Sequence, residues 1–481
     1  MPASVEALYA AVEVAYLACL LVVLWLYAQR VDLVDIEAAA RSSRAERCPE
    51  IIVLYPVLDE LESTMRTAMV GFERAEYPRG RRQVIAIPNA DDAATIASLR
   101  RIAADYAFLQ VLPVPPTDDP RWEPVWSAWD ENDKAYWWHV GKRRHERALP
   151  PKKTRQLTYA LYTVAAARPG ALLSYIDADS VVPPDYFLTA AAGAKEYDVI
   201  QNTNVAGNAL STWATSMFAM DHMSWDGSLY QHMSAGGRQP FYVLGKGLFF
   251  LVWDLLDVGG FHPWLTIEDP EIGMRLWTNG RTLGIVRSPL IEEVPNTFGQ
   301  GVTQRKRWVA GFFQSLGAPL TLMGMSARQR FRARLNFVPC LSLLICPFGL
   351  VTATWSLVAA LTSAHRVIDA PLEALSFTTI ALMVVVVGVA QRAALRQTRL
   401  FLVQRRERVK LMLRINPMFV FAYWIWWAVP LAIGFWMFIR DTGLRWERTR
   451  KVDANHSLVR DELPILLENG EYAFELQADR A

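Results

Sequence analysis

Four long apolar stretches limit most strongly what this chain can fold into. They cover residues 7–28, 335–361, 375–390 and 418–439. Each is close to the roughly 20 residues that a helix needs to cross a bilayer, and the third is the shortest. The hydrophobic fraction of 52% and the 18 tryptophans agree with this interpretation, because tryptophan favours the membrane–water interface. We therefore predict an integral membrane protein whose first stretch is an anchor.

Basic residues beside these stretches predict the orientation of the chain. Four arginines in Arg328–Arg334 precede the second stretch, and the segment Arg392–Arg414 follows the third. Loops rich in Lys and Arg stay on the cytoplasmic side, so we expect residues 30–334 in the cytoplasm, beneath a bacterial-type inner membrane. Four crossings would place the C-terminus outside, yet Arg440 and the basic residues of 445–451 follow the last stretch. The sequence leaves this conflict open, and one stretch that is re-entrant or interfacial would remove it.

Charge and cysteine content exclude other classes of protein. The formal net charge is +2, so no general basic field indicates a nucleic-acid partner. The four cysteines form no CxxC pair, which argues against a zinc ribbon and against a disulfide framework.

The segment between the first two apolar stretches alternates short apolar runs with helical patterns. We predict strands at 51–55, 83–87, 108–113 and 171–176, and helices at 61–72, 93–106 and 157–166. Such alternation predicts a Rossmann-like α/β domain with a mostly parallel sheet, which binds ligands at the carboxyl ends of its strands. A dinucleotide-binding domain is excluded, because Pro56 to Glu60 stands where its glycine-rich turn would be.

Two aspartates follow the fourth predicted strand, in the run YIDADS. Asp177 and Asp179 are separated by one residue, so in an extended chain both carboxylates can point to the same side. Mg²⁺ and Mn²⁺ favour such hard oxygen ligands and share them with a diphosphate. Taken alone the pattern is weak, because solvated carboxylates in a turn are the commoner explanation.

Two further motifs lie nearer the second apolar stretch. In TIEDPE, Glu268 or Asp269 could act as a general base, although acidic residues before a proline are also a common helix start. In QRKRW, residues 304–308, a guanidinium could grip a diphosphate and a tryptophan could stack on a sugar ring. A basic and aromatic stripe at a membrane surface explains the second motif equally well, and the two explanations are compatible.

The order Asp-x-Asp, Glu-Asp, Gln-x-x-Arg-Trp before membrane helices resembles glycosyltransferase family 2, which includes cellulose, chitin and hyaluronan synthases. The resemblance implies a GT-A domain and inversion by direct displacement. It implies a metal, Mg²⁺ or Mn²⁺, at Asp177 and Asp179, with Asp269 as base beside Glu268. It places acceptor binding at Trp308, Gly245 and Asp269. Donor binding is implied at Pro56, Glu60, Asn89, Asp91, Asp92, Lys153, Gln304 and Arg307.

The resemblance also implies a function. We expect transfer from a nucleotide sugar, foremost a UDP-sugar, to a growing polysaccharide or a lipid-linked acceptor at the cytosolic face of the membrane. The runs IPNADDAAT and IVRSPLIEEVPNTFGQGVTQRKRW are similar to bacterial inner-membrane glycosyltransferases that include a coliphage-receptor component. That similarity implies an exopolysaccharide product and an outer-membrane export partner. A single-addition enzyme on a lipid acceptor and a catalytically silent membrane scaffold or receptor are the alternatives.

Departures from the family pattern and the expected domain boundaries complete the prediction. Ile267 stands where the family has threonine, and Asn89 begins its aspartate-rich nucleotide motif. We expect an anchor at 1–30, the GT-A domain at 31–300 and interfacial helices with the QxxRW motif at 301–334. Transmembrane helices and a basic interfacial segment are expected at 335–440, and a tail at 441–481. The tryptophan-rich segment Arg121–Arg147 is interpreted as an insertion that packs as a loop or rests on the membrane rather than binding sugar.

Overall fold

A seven-stranded sheet forms the centre of an α/β domain. The computed structural model describes residues 3–28, 48–234, 240, 243–362, 368–398, 402, 404–442, 455, 464–466 and 472–474. The strands of the sheet are β1 (Ile51–Tyr55), β2 (Arg82–Ala86), β3 (Leu109–Val111), β4 (Leu172–Tyr175), β5 (Val199–Ala206), β6 (Leu248–Leu251) and β7 (Leu283–Glu292). A separate antiparallel pair follows near the C-terminus, β8 (Pro464–Leu466) and β9 (Tyr472–Phe474).

The strand order is β3-β2-β1-β4-β6-β5-β7, and β6 runs antiparallel to both of its neighbours. The predicted mostly parallel α/β fold is therefore confirmed. All five residues of β1, IIVLY, are buried, as expected for a strand covered by helices on both faces. Because β1 and β4 are parallel neighbours, the loops that follow Tyr55 and Tyr175 leave the sheet side by side.

Helices cover the sheet and continue beyond it. Those of the α/β domain are α2 (Glu62–Arg74), α3 (Ala93–Asp105), α4 (Glu123–Asp130), α5 (Tyr136–His139), α6 (Lys153–Thr163), α7 (Tyr186–Gly193), α8 (Trp213–Ser224), α9 (Tyr230–Ser234), α10 (Val252–Asp257), α11 (Asp269–Thr278) and α12 (Phe298–Leu316). The remaining helices are α1 (Ala3–Ala28), α13 (Ala327–Leu335), α14 (Val338–Thr362), α15 (Ala370–Thr398), α16 (Arg405–Arg414), α17 (Pro417–Trp426) and α18 (Ala428–Arg440).

The tryptophan-rich insertion forms an aromatic core of its own. Trp126 stacks between Trp122 and Trp138, with ring centroids 5.4 Å apart in both pairs. The indole of Trp129 donates a 3.1 Å hydrogen bond to the carbonyl of Gly259. All five tryptophans of the segment are buried, which agrees with the predicted packing, although the segment contains helices α4 and α5 and is not a simple loop. This cluster supports α6, because Trp122 also packs on Tyr159.

Among the described residues, four segments are long and apolar enough to cross a membrane: 3–28, 344–362, 370–396 and 417–440. They coincide with the four predicted stretches. Helices α1, α14 and α15 form a bundle in which the Tyr9 hydroxyl lies 2.6 Å from Ser376 Oγ and donates to the Thr352 carbonyl at 2.9 Å. Gly349 on α14 lets Tyr16 of α1 approach closely. The fourth segment consists of α17 and α18, which meet at Trp427.

Candidate active site

A cavity of about 280 Å³ lies at the carboxyl ends of β1 and β4 and reaches to the apolar helices. It brings together residues that are far apart in the sequence. The predicted site residues that line it are Pro56, Glu60, Lys153, Asp177, Asp179, Gly245, Glu268, Asp269, Gln304, Arg307 and Trp308. The roles assigned to them individually remain predictions, but their common location is what the motifs require.

The two aspartates of YIDADS leave β4 at the edge of this cavity. Asp177 is half-exposed, and its Oδ1 accepts a 2.8 Å hydrogen bond from Lys153 Nζ. Asp179 is buried, and its Oδ2 accepts from the backbone N–H of Glu293 at 2.9 Å. The Tyr55 hydroxyl donates to the carbonyl of Ala178, at 2.6 Å, and so fixes the residue between them. The pair is therefore held in place by β1 and by the end of β7.

Lys153 connects the aspartate pair to the acidic motif on the opposite wall. It is the first residue of α6, and its Nζ also donates to the carbonyl of Gly245 at 2.7 Å and lies 3.6 Å from Glu268 Oε1. Burial alone would lower the pKa of this ammonium, but the carboxylates of Asp177 and Glu268 outweigh burial, and the net pKa is raised. Lys153 is therefore a fixed positive charge in the middle of the cavity.

Asp269 begins α11, so the helix-start interpretation of TIEDPE is correct and coexists with a place in the cavity. Its Oδ2 accepts a 3.1 Å hydrogen bond from the backbone N–H of Gly245. Burial, with a contribution from the adjacent Glu268 carboxylate, raises the pKa of Asp269 to about 8. A carboxylate with such a pKa is a stronger base than an ordinary aspartate, which is what proton removal from a hydroxyl requires.

Helix α12 carries the QxxRW motif along the membrane side of the cavity. Thr297 caps it by accepting a hydrogen bond from the N–H of Gln300. Gln304, Arg307 and Trp308 are spaced three and four residues apart, which puts them on one face of the helix. This face lines the cavity. Gly311 brings α12 against Ile267, directly before the acidic pair, because a β-carbon at 311 would lie 2.2 Å from Ile267 Cγ1.

The aspartate-rich segment after β2 lies outside this group. Asn89, Asp91 and Asp92 are not among the described residues that line the cavity. Asn89 accepts a 2.7 Å hydrogen bond from Arg155, and Asp92 caps α3 by accepting from the N–H of Thr95. The lining of the cavity does not bear on their predicted contact with the nucleotide, which stays a prediction.

A buried ionic cluster behind Asp179 was not predicted. Lys246 contacts Glu292 and lies 3.4 Å from Asp226, and His222 Nδ1 lies 3.1 Å from Asp226 Oδ2. All four residues line the cavity. Burial raises the pKa of Asp226 to about 6 and that of Glu292 to about 7. The sequence signal that could have found this cluster is the adjacent pair Glu292 and Glu293 at the end of β7.

A second unpredicted contact fixes the far side of α12. Arg305 is buried and donates to Asp221 Oδ2 at 3.0 Å and to the Tyr423 hydroxyl at 3.1 Å. The Tyr423 hydroxyl donates in turn to Asp221 Oδ2 at 2.7 Å. This triad ties α12 to α8 and to α17. The triad gives a structural role to Arg305, the first arginine of QRKRW, to which the Gln-x-x-Arg-Trp motif assigns none.

The donor set at the aspartate pair is compatible with a magnesium or manganese ion. Within the described residues there is no cluster of three or more His, Cys, Asp or Glu side chains suited to a metal. Mg²⁺ in phosphate-transfer sites needs no such cluster, because one or two carboxylates and the phosphates of the substrate hold it. Asp177 and Asp179 are two hard carboxylate donors on one cavity wall, and they fit that arrangement.

Comparisons with known proteins bear on the family and the fold of the chain. A family model described as glycosyl transferase family group 2 matches residues 172–439, more than half of the chain. A curated protein of Sulfolobus acidocaldarius, described as a probable glycosyltransferase, is 29% identical over 146 residues. That match covers 30% of this chain and 31% of the relative, so the chain matches about a third of the relative's length.

Among solved structures, the mannosyltransferase PcManGT from Pyrobaculum calidifontis, in complex with GDP-Man and Mn²⁺, is similar in fold. It has a TM-score of 0.50 and 16% identity, and the match covers 89% of this chain and 98% of that chain. S. aureus TarS in complex with UDP-GlcNAc gives a TM-score of 0.37 at 10% identity over 89% of this chain and 97% of that chain, too low to carry an argument. The predicted GT-A fold is confirmed by the first of these and by the strand order. On the family match and this fold, the chain belongs to glycosyl transferase family group 2.

Proposed function

We propose that this protein is an inverting, metal-dependent glycosyltransferase. It moves a sugar from a nucleotide-sugar donor to a hydroxyl of a growing polysaccharide or of a lipid-linked acceptor at the cytosolic membrane face. One observation carries the proposal: the Asp-x-Asp, Glu-Asp and Gln-x-x-Arg-Trp motifs, from three distant parts of the chain, line the same cavity. A catalytically silent scaffold would have no need to keep all three motifs in that arrangement.

In this mechanism Asp269 takes the proton of the acceptor hydroxyl. The hydroxyl oxygen forms a bond to the anomeric carbon as the bond from that carbon to the diphosphate oxygen breaks, which inverts the configuration. The raised pKa of Asp269 supports the role, and the hydrogen bond from the Gly245 N–H orients its carboxylate. After burial, the adjacent Glu268 makes the next largest contribution to the raised pKa of Asp269 and so strengthens Asp269 as a base.

The leaving diphosphate meets the positive groups of the cavity. Lys153 is placed between Asp177 and Glu268, and Arg307 faces the cavity from α12. A guanidinium can hold two oxygens of a diphosphate at once. A magnesium or manganese ion held by Asp177 and Asp179 would neutralise the charge that develops on the leaving group.

The membrane end of the cavity favours an acceptor that stays at the bilayer. Phe312, Cys340, Leu344 and Trp427 line this end together with Trp308. An apolar and aromatic wall suits the ring faces of a glycan or the first part of a lipid carrier. The same proposal includes a UDP-sugar donor, an exopolysaccharide product, an outer-membrane export partner and an inner-membrane location. These four parts rest on the sequence.

The proposal is tested by incubating the purified full-length protein with a panel of nucleotide sugars and Mn²⁺ or Mg²⁺. We expect metal-dependent release of nucleoside diphosphate, reduced on the order of 10²-fold or more in Asp269→Asn. Asp105→Asn, an exposed aspartate on α3 remote from the cavity lining, is the matched control and should retain activity. Absence of turnover with every donor would favour the silent scaffold. Product length then distinguishes a polymerase from an enzyme that adds one sugar.

A further inference from the structure

The fourth apolar segment packs differently from the other three. Helices α1, α14 and α15 pack on one another, and α17 packs on α14, whereas α18 lies along α12 of the α/β domain. A β-carbon at Gly434 would lie 2.5 Å from the carbonyl oxygen of Lys306, so the two helices touch through their backbones. The ring of Phe313 on α12 contacts Phe435 at 5.1 Å and Phe438 at 5.6 Å.

Both ends of this segment contact the α/β domain. Just before the segment, Arg414 at the end of α16 donates to the carbonyls of Leu210 and Thr212, each at 2.9 Å. At its start, Phe419 packs on Trp213 at 4.7 Å. The first end therefore sits against the loop that follows β5 and the beginning of α8.

At its other end, Asp441 follows α18 directly. Its Oδ2 accepts a 2.9 Å hydrogen bond from Arg143, whose guanidinium lies 4.1 Å from the centre of the Trp264 ring. Arg143 belongs to the tryptophan-rich insertion and Trp264 to the loop before α11. A helix that crosses roughly 30 Å of hydrocarbon has its two ends on opposite sides of the membrane. Here the two ends rest on one domain.

The middle of the segment is attached to the same domain. Tyr423 joins Arg305 and Asp221, and Trp426 packs on Phe218 of α8 at 5.6 Å. Trp427, where α17 and α18 meet, lines the active-site cavity. The α/β domain thus covers one face of α18 and contacts α17 through Phe419, Tyr423 and Trp426, while α17 also packs on α14.

The opposite face is an exposed apolar row. Its members are between 40% and 68% exposed and recur at intervals of three, four and seven residues, which is one side of a helix: Met418, Ile425, Val429, Ile433, Trp436 and Ile439. Because the α/β domain and α14 cover the other side of this pair, only its apolar row needs to enter the lipid, as in a helix that lies in the membrane interface.

We propose that α17 and α18 do not cross the membrane and instead bind the lipid surface on the side of the α/β domain. The chain then crosses three times, through α1, α14 and α15, and Asp441 lies on the same side as the active-site cavity. Three crossings also put Arg392–Arg414 and the basic residues of 445–451 on that one side, which removes the conflict in the charge pattern. The proposal does not depend on the proposed function.

Protease access in sealed vesicles of known orientation tests the number of crossings in the full-length protein. A cleavable epitope is placed after Ala481, in the exposed turn at Gly80, or between α14 and α15 at residues 363–367. We expect the C-terminal and Gly80 epitopes to be cleaved in the same vesicles, and the 363–367 epitope in vesicles of the opposite orientation. Cleavage of the C-terminal epitope together with the 363–367 epitope would overturn the proposal.

Depth measurement tests the lipid contact. The four native cysteines are replaced, and single cysteines are introduced at Met418, Val429 and Ile439. Each cysteine is labelled with a fluorophore, and its depth is measured by quenchers attached to lipids at known depths. We expect all three labels within about 5–10 Å of the headgroup boundary. Val351→Cys, an exposed position at the middle of α14, is the control and should report near the bilayer centre, about 15 Å deep.

A crossing helix would give a different depth profile, with the label at Val429 near the centre and those at Met418 and Ile439 at opposite surfaces. Labels that no lipid-borne quencher reaches would mean that another protein covers this face, and would overturn the lipid contact. If the cysteine-free background does not fold, the protease test still decides the number of crossings.

Discussion

Gly311→Ala should lower activity much more than stability. Gly311 on α12 faces Ile267, and an added β-carbon would lie 2.2 Å from Cγ1 and 3.0 Å from the backbone nitrogen of that residue. Carbon atoms in contact sit about 3.5–4.0 Å apart, so the overlap is more than about 1 Å. Since Ile267 precedes Glu268 and Asp269, the overlap must move α12 away from the acidic pair.

The expected magnitudes follow from that displacement. Overpacking of this kind costs about 1–3 kcal/mol, and the better helix propensity of alanine returns about 1 kcal/mol. The free energy of unfolding therefore falls by about 0–2 kcal/mol, which a folded protein tolerates. A shift of about 1 Å between the base and the residues that hold the donor can cost on the order of 10²-fold in rate. We therefore expect kcat/KM to fall by roughly that factor.

Release of nucleoside diphosphate and the thermal midpoint of the purified protein are measured together. Gly299→Ala is the matched control, because it lies on the same helix and a β-carbon there meets nothing within 4 Å. The double variant Ile267→Ala with Gly311→Ala lacks the clashing Cγ1 and should recover part of the lost rate. Two independent sites would not show such a recovery. A Gly311→Ala protein as active as Gly299→Ala would refute the reasoning.

Three further outcomes test the site. The value of kcat/KM should rise with pH through a midpoint at or below about 8, because Asp269 must lose its proton to act as base. A bound cation would lower the pKa of Asp269 and so move the midpoint below about 8. A pH profile without this rise would exclude Asp269 as the base. Asp179→Asn should weaken donor binding, measured by titration calorimetry, mainly when Mg²⁺ or Mn²⁺ is present, and equal affinities at saturating metal would contradict the metal assignment. Arg305→Met should destabilise the protein by about 3–5 kcal/mol, because it leaves Asp221 buried without its guanidinium partner. The double variant Arg305→Met with Asp221→Leu should recover much of the lost stability, measured by thermal unfolding. No recovery in the double variant would show that the Arg305–Asp221 ion pair is not the cause.

The first half of the sheet was predictable and the second half was not. The predicted strands at 51–55 and 171–176 are apolar except for Ser174, and each ends at a turn or a charged residue. β5 reads VIQNTNVA, and its buried polar residues hide the apolar pattern. Gln201 accepts from the N–H of Leu244 and Asn202 donates to the carbonyl of Ser288, so tertiary contacts satisfy groups that a sequence pattern assigns to a loop. β7 contains Pro289, which an edge strand tolerates.

Prediction of the site from the sequence has the same limit, because local patterns do not show contacts between distant residues. Asp177 and Asp179 were found because they follow a strand, and Asp269 because it begins a helix, whereas residues 304–308 were found by their basic and aromatic sequence. The Arg305–Asp221 pair was missed because the two residues are 84 positions apart, and no local pattern records such a pair. Helix geometry still separates Arg305 from Arg307, since two residues turn about 200° around an α-helix. If Arg307 faces the cavity, then Arg305 must face away from it, toward the membrane-side helices.

Helix α12 is therefore the element through which the cavity and the lipid-facing helices depend on each other. One face presents Arg307 to the cavity, a second holds Arg305 against α8 and α17, and Phe313 packs on α18. A displacement of α18 by loss of its lipid support would be transmitted to α12 at Gly434, which meets the Lys306 carbonyl and the stiff, β-branched side chain of Val309. The distance between Arg307 and Asp269 would then change, although neither residue touches lipid. Activity should consequently depend on the bilayer even for a donor that is fully soluble in water.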